Sequence, residues 1–366
     1  MPVQRDNWPT VFNAVRAVHS TTPILILGGH SHVRDCVQLD GRSMSLESGR
    51  YMETVGWLTV DFDEKNKKNN NQNLTFTRRY LDPNRVTYEY HTGRSNFTFD
   101  TAFGRSITSG LQQLSKKFDL SLLFGTAPQD FTLSRDPYPS NGSALSLFAQ
   151  QAMPVALTIN NTRANISNIM ITNSGELRFD IYAGAFNKND QLTTLPFMDT
   201  FVFIANVSAG IAKQVLPALN NAGADERKRS LESLYARDEM YGRGHVEHIY
   251  REWLAAMDAR SGPERRAMQN ATLGYVTNDA CPGVGDDILH TPLPFFGSPD
   301  FIGSNAPNVS DDTPIDLVFI DFIEDQLLGV LNGLQTAKNY TEADVQSYTP
   351  ILASEVLGLY AQKVWN

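Results

Sequence analysis

Residues 23–32 read Pro23-Ile24-Leu25-Ile26-Leu27-Gly28-Gly29-His30-Ser31-His32, and they decide how the first part of the chain is built. The Ile and Leu residues make an apolar run of the length of a buried strand. The run ends directly in two glycines, which let backbone come close to an ion or a phosphate. Two histidines follow, two residues apart. That spacing lets both imidazoles point to one side of a loop, where each can ligate a transition metal. A His-x-His alone carries little, but strand, glycine pair and histidine pair together describe a rigid mount with two donors at its tip.

Upstream of the mount, Val11, Phe12, Val15 and Val18 fall at helical spacing, and Thr21-Thr22-Pro23 ends that helix. Downstream, Trp57-Leu58-Thr59-Val60-Asp61-Phe62 alternates like a strand, and residues 64–73 are a polar, low-complexity loop. Residues 75–91 read as two strands around the turn signal Asp82-Pro83-Asn84. Beyond about residue 95 the pattern is more helical. Helices are expected over 103–118, 143–157, 207–219 and 224–259, a strand over 168–171, and loops over 127–141 and 279–314. Two helices, 315–337 and 341–364, are expected to close the chain. The fold class is thus α/β in the first part and α+β in the second, with a division into 1–95 and 96–366.

The chain has 366 residues and a formal net charge of −9, with 41% hydrophobic and 19% charged residues. This is the composition of a globular chain with a sizeable core. The acidic balance disfavours a nucleic-acid scaffold, and no apolar run is long enough for a membrane span. Two cysteines, Cys36 and Cys281, allow one disulfide or two free thiols. Asn-x-Ser/Thr sequons stand at Asn73, Asn96, Asn141, Asn160, Asn165, Asn206, Asn270, Asn308 and Asn339. A chain with this much Asn, Ser and Thr holds about four by chance, so the excess points to the secretory pathway and to a glycoprotein. The N-terminal residues are polar and form no signal peptide. The localisation expected is secreted or vacuolar if a leader is missing, and cytoplasmic if the chain is complete as given. His245 and His248 lie three apart on a charged helix and read as a solvated face. No Gly-x-Ser-x-Gly elbow is found, and Gly283-Val284-Gly285 lacks the strand and helix of a dinucleotide fingerprint.

The stretch 23–32, with Glu47-Ser48-Gly49-Arg50-Tyr51-Met52-Glu53-Thr54-Val55-Gly56-Trp57-Leu58, resembles the end of the calcineurin-like metallophosphoesterase domain of 5′-nucleotidases, and its fungal subgroup in particular. The resemblance implies that His30 and His32 are late ligands of a centre of two divalent ions, Zn, Mn or similar. The family's Asp-x-His, Gly-Asp-x-x-Asp and Gly-Asn-His motifs do not occur in residues 1–29. The chain therefore reads as N-terminally truncated, with residues 1–95 the closing part of a metallophosphoesterase β-sandwich. Two histidines alone cannot hold two bridged ions, so no catalytic residue is assigned and the chain by itself is expected to be inactive.

Asn173-Ser174-Gly175-Glu176-Leu177-Arg178, with Thr194-Leu195-Pro196-Phe197, resembles the C-terminal, substrate-binding domain of the same family. The resemblance implies that Arg178 faces phosphate, Asn173 the nucleoside, and Phe197 the base. Near Gly283-Val284-Gly285-Asp286 it gives Asp286 a nucleoside contact. Ala280 stands where the family has a second aromatic wall, which Phe295 or Phe296 would have to replace, and Glu176 replaces a family glycine. The expected partner is a small phosphate ester or nucleotide, hydrolysed in nucleotide catabolism. The alternative is a catalytically inactive glycoprotein fragment or ligand-binding module of the same fold.

Overall fold

The computed structural model describes residues 8–62, 73–229, 243–259 and 271–366. They fall into two compact units: residues 1–107 with 241–295, and residues 108–240 with 296–366. The units do not follow the 95/96 division, because the segment 241–295 returns to the first of them. The mixed α/β architecture expected from the sequence is present in both.

In the first unit the helix Trp8–Val18 leads into the strand Ile24–Leu27. That strand runs parallel to Ser43–Ser48, which pairs antiparallel with Arg34–Val37 on its other side. A second three-stranded sheet has Thr75–Leu81 in the middle, antiparallel to Val55–Asp61 and parallel to Gly285–Asp286. Met44, Leu46, Phe76 and Tyr80 form the core of these strands, with Cys36 and Cys281 among them. Cys36 and Cys281 are joined in a disulfide, which settles the choice the sequence left open. The helix Arg243–Ala259 builds a second core, in which Ile249, Tyr250, Trp253 and Met257 meet Val33.

Residues after Asp82-Pro83-Asn84 form the helix Arg85–Thr92 instead of the expected strand. The Asn84 side chain caps it by accepting from Thr87 N, and Gly93, at φ 62°, closes it in the left-handed conformation. These two local signals outweigh the β-branched and aromatic character of Arg85-Val86-Thr87-Tyr88-Glu89-Tyr90.

The second unit is built on five strands in the order Phe301–Gly303, Asn168–Asn173, Pro314–Ile320, Thr200–Ser208, Val345–Leu352. The two closing helices expected from the sequence are each shortened by a strand: Pro314–Ile320 precedes the helix Glu324–Leu334, and Val345–Leu352 precedes Val356–Val364. Six of the seven residues of Pro314–Ile320 are buried, Asp316 included, as suits the middle strand of a sheet covered on both faces. Asp316 is tolerated there because Arg163 meets it with two bonds, 2.7 Å each. Similarly, the expected helix from 207 begins only at Ala209, after the strand Thr200–Ser208.

Candidate functional site

The strand Ile24–Leu27 fixes the histidine loop as its sequence suggests. Gly28 N donates to Leu46 O at 2.8 Å, continuing the parallel pairing one residue past the strand. Gly28 is needed for a close approach: a Cβ there would stand 2.2 Å from the indole of Trp8. His30 and His32 both take left-handed backbone, at φ 80° and 66°. Non-glycine residues hold such conformations at a cost of about 1–3 kcal/mol each, and they gather at functional sites. Between them, Ser31 is buried and its hydroxyl donates to Glu47 Oε2 at 2.7 Å. Ser31 thus pins the loop inward, leaving His30 exposed and His32 half-buried.

His32 has an aromatic surround. Its ring centroid lies 5.4 Å from Tyr51 and 6.5 Å from Tyr250, the latter edge-on. The Arg50 guanidinium sits 3.8 Å above the Tyr250 ring. Tyr250, Trp253 and Tyr275 stack in succession. Tyr275 donates to Glu53 Oε1 at 2.7 Å, and Arg50 reaches the same oxygen at 3.4 Å. Burial pushes the Glu53 carboxyl above its ordinary range, with Arg50 opposing the shift. Burial likewise raises the Tyr275 phenol, helped by the neighbouring Tyr250 and Glu53. Sequence reasoning did not single out Glu47 or Tyr250. Glu47 stood in the quoted motif, whereas Tyr250 arrives from a helix some 200 residues on.

The donor set does not fit a two-ion centre by itself. No His, Cys, Asp or Glu among the described residues completes a three-donor group with His30 and His32. Cys36, Asp279 and Cys281 do bring three ligand-type atoms within 4.8 Å. The two sulfurs are bonded to each other, however, and Asp279 serves Arg78 at 2.6 Å and Tyr80 at 2.8 Å.

Asp286 belongs to the first unit. Its Oδ1 accepts from Arg34 at 2.5 Å and Thr277 Oγ1 at 2.6 Å, and its Oδ2 accepts from Thr277 N at 3.1 Å. The expected nucleoside contact would have to share these oxygens. Arg34 is buried and also lies 4.5 Å above the Tyr80 ring.

Asn173, Arg178 and Phe197 belong to the second unit, at one end of its sheet. Asn173 closes the strand Asn168–Asn173, and its Oδ1 is buried without a hydrogen-bond partner among the described residues. Ser174 is tied to Asp300 O through both its N–H, at 2.8 Å, and its hydroxyl, at 3.1 Å. Arg178 is buried, its N–H donates to Thr194 O at 2.8 Å, and its guanidinium lies 4.9 Å from the Phe197 ring centroid. Ser354 N in turn holds Phe197 O at 3.0 Å. Arg178 and Phe197, identified from separate motifs, are therefore in direct contact. Glu176, two residues before Arg178, is fully buried, while Ala280 is exposed in the first unit and Phe296 is exposed in the second. The side chains of His245 and His248, and the sequon at Asn270, lie outside the described residues.

Residues 130–328 match the family described as NAD nucleotidase, C-terminal domain. A "Secreted protein" of Arthroderma benhamiae is 29% identical over 405 residues, covering 99% of this chain and 60% of that protein. An uncharacterized protein of Schizosaccharomyces pombe is 28% identical, covering 94% of this chain and 55% of that protein. Among solved structures, the 5′-nucleotidase from Candida albicans superposes with a TM-score of 0.76 at 26% identity, covering 96% of this chain and 60% of that one. The chain spans between one half and two thirds of the length of these relatives. No helix among the described residues is long and apolar enough to cross a membrane.

Proposed function

From a chain that belongs to the 5′-nucleotidase family, by its NAD nucleotidase C-terminal domain, we propose the hydrolysis of nucleotide phosphate esters as the activity of the whole protein. The observation that carries the reading is the Gly-Gly-His-Ser-His loop: two histidines in left-handed backbone, pinned by Ser31 to Glu47 at the end of the strand Ile24–Leu27, of which only Ile24 is buried and not, as the sequence suggests, the whole apolar run. In the whole protein His30 and His32 would hold divalent ions through two imidazole ligands, with the remaining ligands supplied from elsewhere, and such ions would supply Lewis-acid polarisation of the phosphate. The second unit binds the nucleotide, with Arg178 at phosphate oxygens, Asn173 at the nucleoside and Phe197 against the base. The Asn173 Oδ1, without a partner among the described residues, is the acceptor such a ligand would satisfy. The protein works in nucleotide catabolism, in a secreted or vacuolar setting that suits its disulfide.

Phosphate release from AMP by the full-length protein, measured with Mn²⁺, Zn²⁺ or Co²⁺, tests the reading. His30→Ala and His32→Ala should each remove metal and most of the rate. Wild-type metal content and kinetics in both variants would overturn it.

The incomplete donor set favours a second reading for this chain in isolation, that of a ligand-binding module without turnover. Calorimetric binding of AMP to the 366-residue chain, with no metal-dependent phosphate release, is the expected result. Turnover near the median enzyme value of about 10 s⁻¹ would exclude that second reading.

A further inference from the structure

We infer that this protein carries N-linked oligosaccharides, and that five of them, on Asn160, Asn165, Asn206, Asn308 and Asn339, cover the end of the five-stranded sheet remote from Asn173, Arg178 and Phe197. The inference rests on the proposed function only in calling that second end the ligand end.

Exposure separates the sequon asparagines from the others. All eight in the described residues are exposed, against six of the thirteen asparagines outside sequons. Side-chain bonding separates them too. Asn161, Asn220 and Asn332 give their amide N–H to backbone carbonyls, and Asn84 and Asn187 cap helices. Among the described residues, no hydrogen bond engages the side-chain amide of any of the eight. Asn160 and Asn206 hold left-handed backbone at φ 52° and 60°. At Asn206 the register of Thr200–Ser208 against Pro314–Ile320 shifts, so two residues face one and the extra side chain turns outward. Asparagine tolerates this conformation better than most residues, which accounts for an Asn at these two positions but not for the Ser or Thr two residues on.

Strand register places the five together. Pro314 pairs with Ser208 and Asp316 with Asn168, so the start of the middle strand, the end of Thr200–Ser208 and the start of Asn168–Asn173 share one end of the sheet. Asn206 lies two residues before that end of its strand, and Asn160 and Asn165 lie in the approach to Asn168. Asn308 lies between Gly303, paired with Ile171, and the start at Pro314. Asn339 precedes Val345, and its neighbour Tyr340 is bonded to Asn332 on the helix Glu324–Leu334. The opposite end is marked by Phe301 against Asn173, Ile320 against Phe201 and Leu352 against Thr200. Arg178 and Phe197 are there. Asn141 is left out of the set because its sequon hydroxyl, Ser143, is fully buried.

In the modification the Asn Nδ2 attacks the anomeric carbon of a lipid-diphosphate-linked oligosaccharide. The N–C bond forms as the C–O bond to diphosphate breaks. The amide nitrogen gives up one proton and the lipid diphosphate leaves.

Peptide mapping of the protein purified from the cells that make it tests this, and it needs no substrate, so its failure leaves the nucleotidase reading untouched. Treatment with peptide-N-glycosidase in heavy-oxygen water should convert Asn160, Asn165, Asn206, Asn308 and Asn339 to labelled Asp. Replacing all five with Gln should lower the apparent mass on electrophoresis by several oligosaccharides. Recovery of the five as unmodified Asn, or an apparent mass unchanged by the five substitutions, would overturn the inference.

Discussion

Cys36 and Cys281 are 245 residues apart in the chain and 6.0 Å apart between Cα atoms, and their disulfide fastens the strand after His32 to the segment that carries Asp279 and Asp286. Both sulfurs lie in the core of the first unit. Replacing the pair with serines should lower unfolding free energy by about 2–5 kcal/mol, the usual worth of a native cross-link. Denaturant unfolding of the double variant against wild type measures this. An unchanged midpoint would mean that packing alone holds the segment.

The Arg34–Asp286 pair predicts a loss of a different kind. Asp286→Ala leaves the Arg34 guanidinium buried at 4% exposure with its 2.5 Å partner gone. Breaking a buried pair from one side costs about 3–5 kcal/mol. The variant should melt lower whether or not nucleotide is present. If Asp286 acts only on the nucleoside, stability will stay at the wild-type value and nucleotide KM alone will rise.

Arg178 and Phe197 should act as one unit in ligand binding. The guanidinium lies against the Phe197 ring, 4.9 Å from its centroid. In the full-length protein, Phe197→Ala should raise KM for a nucleotide more than for a small aryl phosphate, by about 5-fold, the low end of base–aromatic stacking. The effects of Arg178→Ala and Phe197→Ala on nucleotide KM should fall short of additive by about 0.5–2 kcal/mol, as a contacting cation–ring pair requires. Additive effects would show that the two residues serve the ligand separately.

Glu53 sets a pH dependence whose sign follows from its burial. Its carboxyl titrates above 4.5 in the folded protein, so the folded state holds the proton more tightly than the unfolded chain. The stability this contributes is complete below the unfolded pKa and is lost as pH rises through the folded one. Glu53→Gln should flatten the fall in unfolding free energy from about pH 4.5 upward. Denaturant midpoints across that range check it; parallel curves for variant and wild type would remove Glu53 as the source.

The histidine mount was legible in the sequence because everything that makes it is local: the strand, the glycine at 28 and the two histidines stand within ten residues. The core strand Pro314–Ile320 was not, since Pro-Ile-Asp-Leu-Val-Phe-Ile runs directly into a helix and a short apolar run has no decisive period. Asp316 spoke against a buried strand until Arg163, 153 residues away, was seen to neutralise it. The helix at Arg85 is hard to read because its β-branched and aromatic residues favour a strand, and in sequence only the Asn84 cap and Gly93 speak for a helix. Family likeness found Asn173, Arg178 and Phe197 one at a time, and only the folded chain shows Arg178 lying on Phe197. The partners of Asp286 and His32 were hidden for one reason: Arg34, Thr277 and Tyr250 reach them through long-range packing, which leaves no mark in spacing.

The return of residues 241–295 to the first unit makes its autonomy a question of genetics as well as of chemistry. A gene fragment ending near residue 107 would encode neither Cys281 nor the strand Gly285–Asp286, and it would leave Arg34 and Arg78 without their carboxylates. The backbone passes from one unit to the other at three places, and a protease that nicks the first or the second leaves two pieces still joined by the Cys36–Cys281 disulfide, whereas a nick at the third does not. In this chain the second unit is therefore encoded as two separate stretches, 108–240 and 296–366, and one crossover cannot exchange it alone.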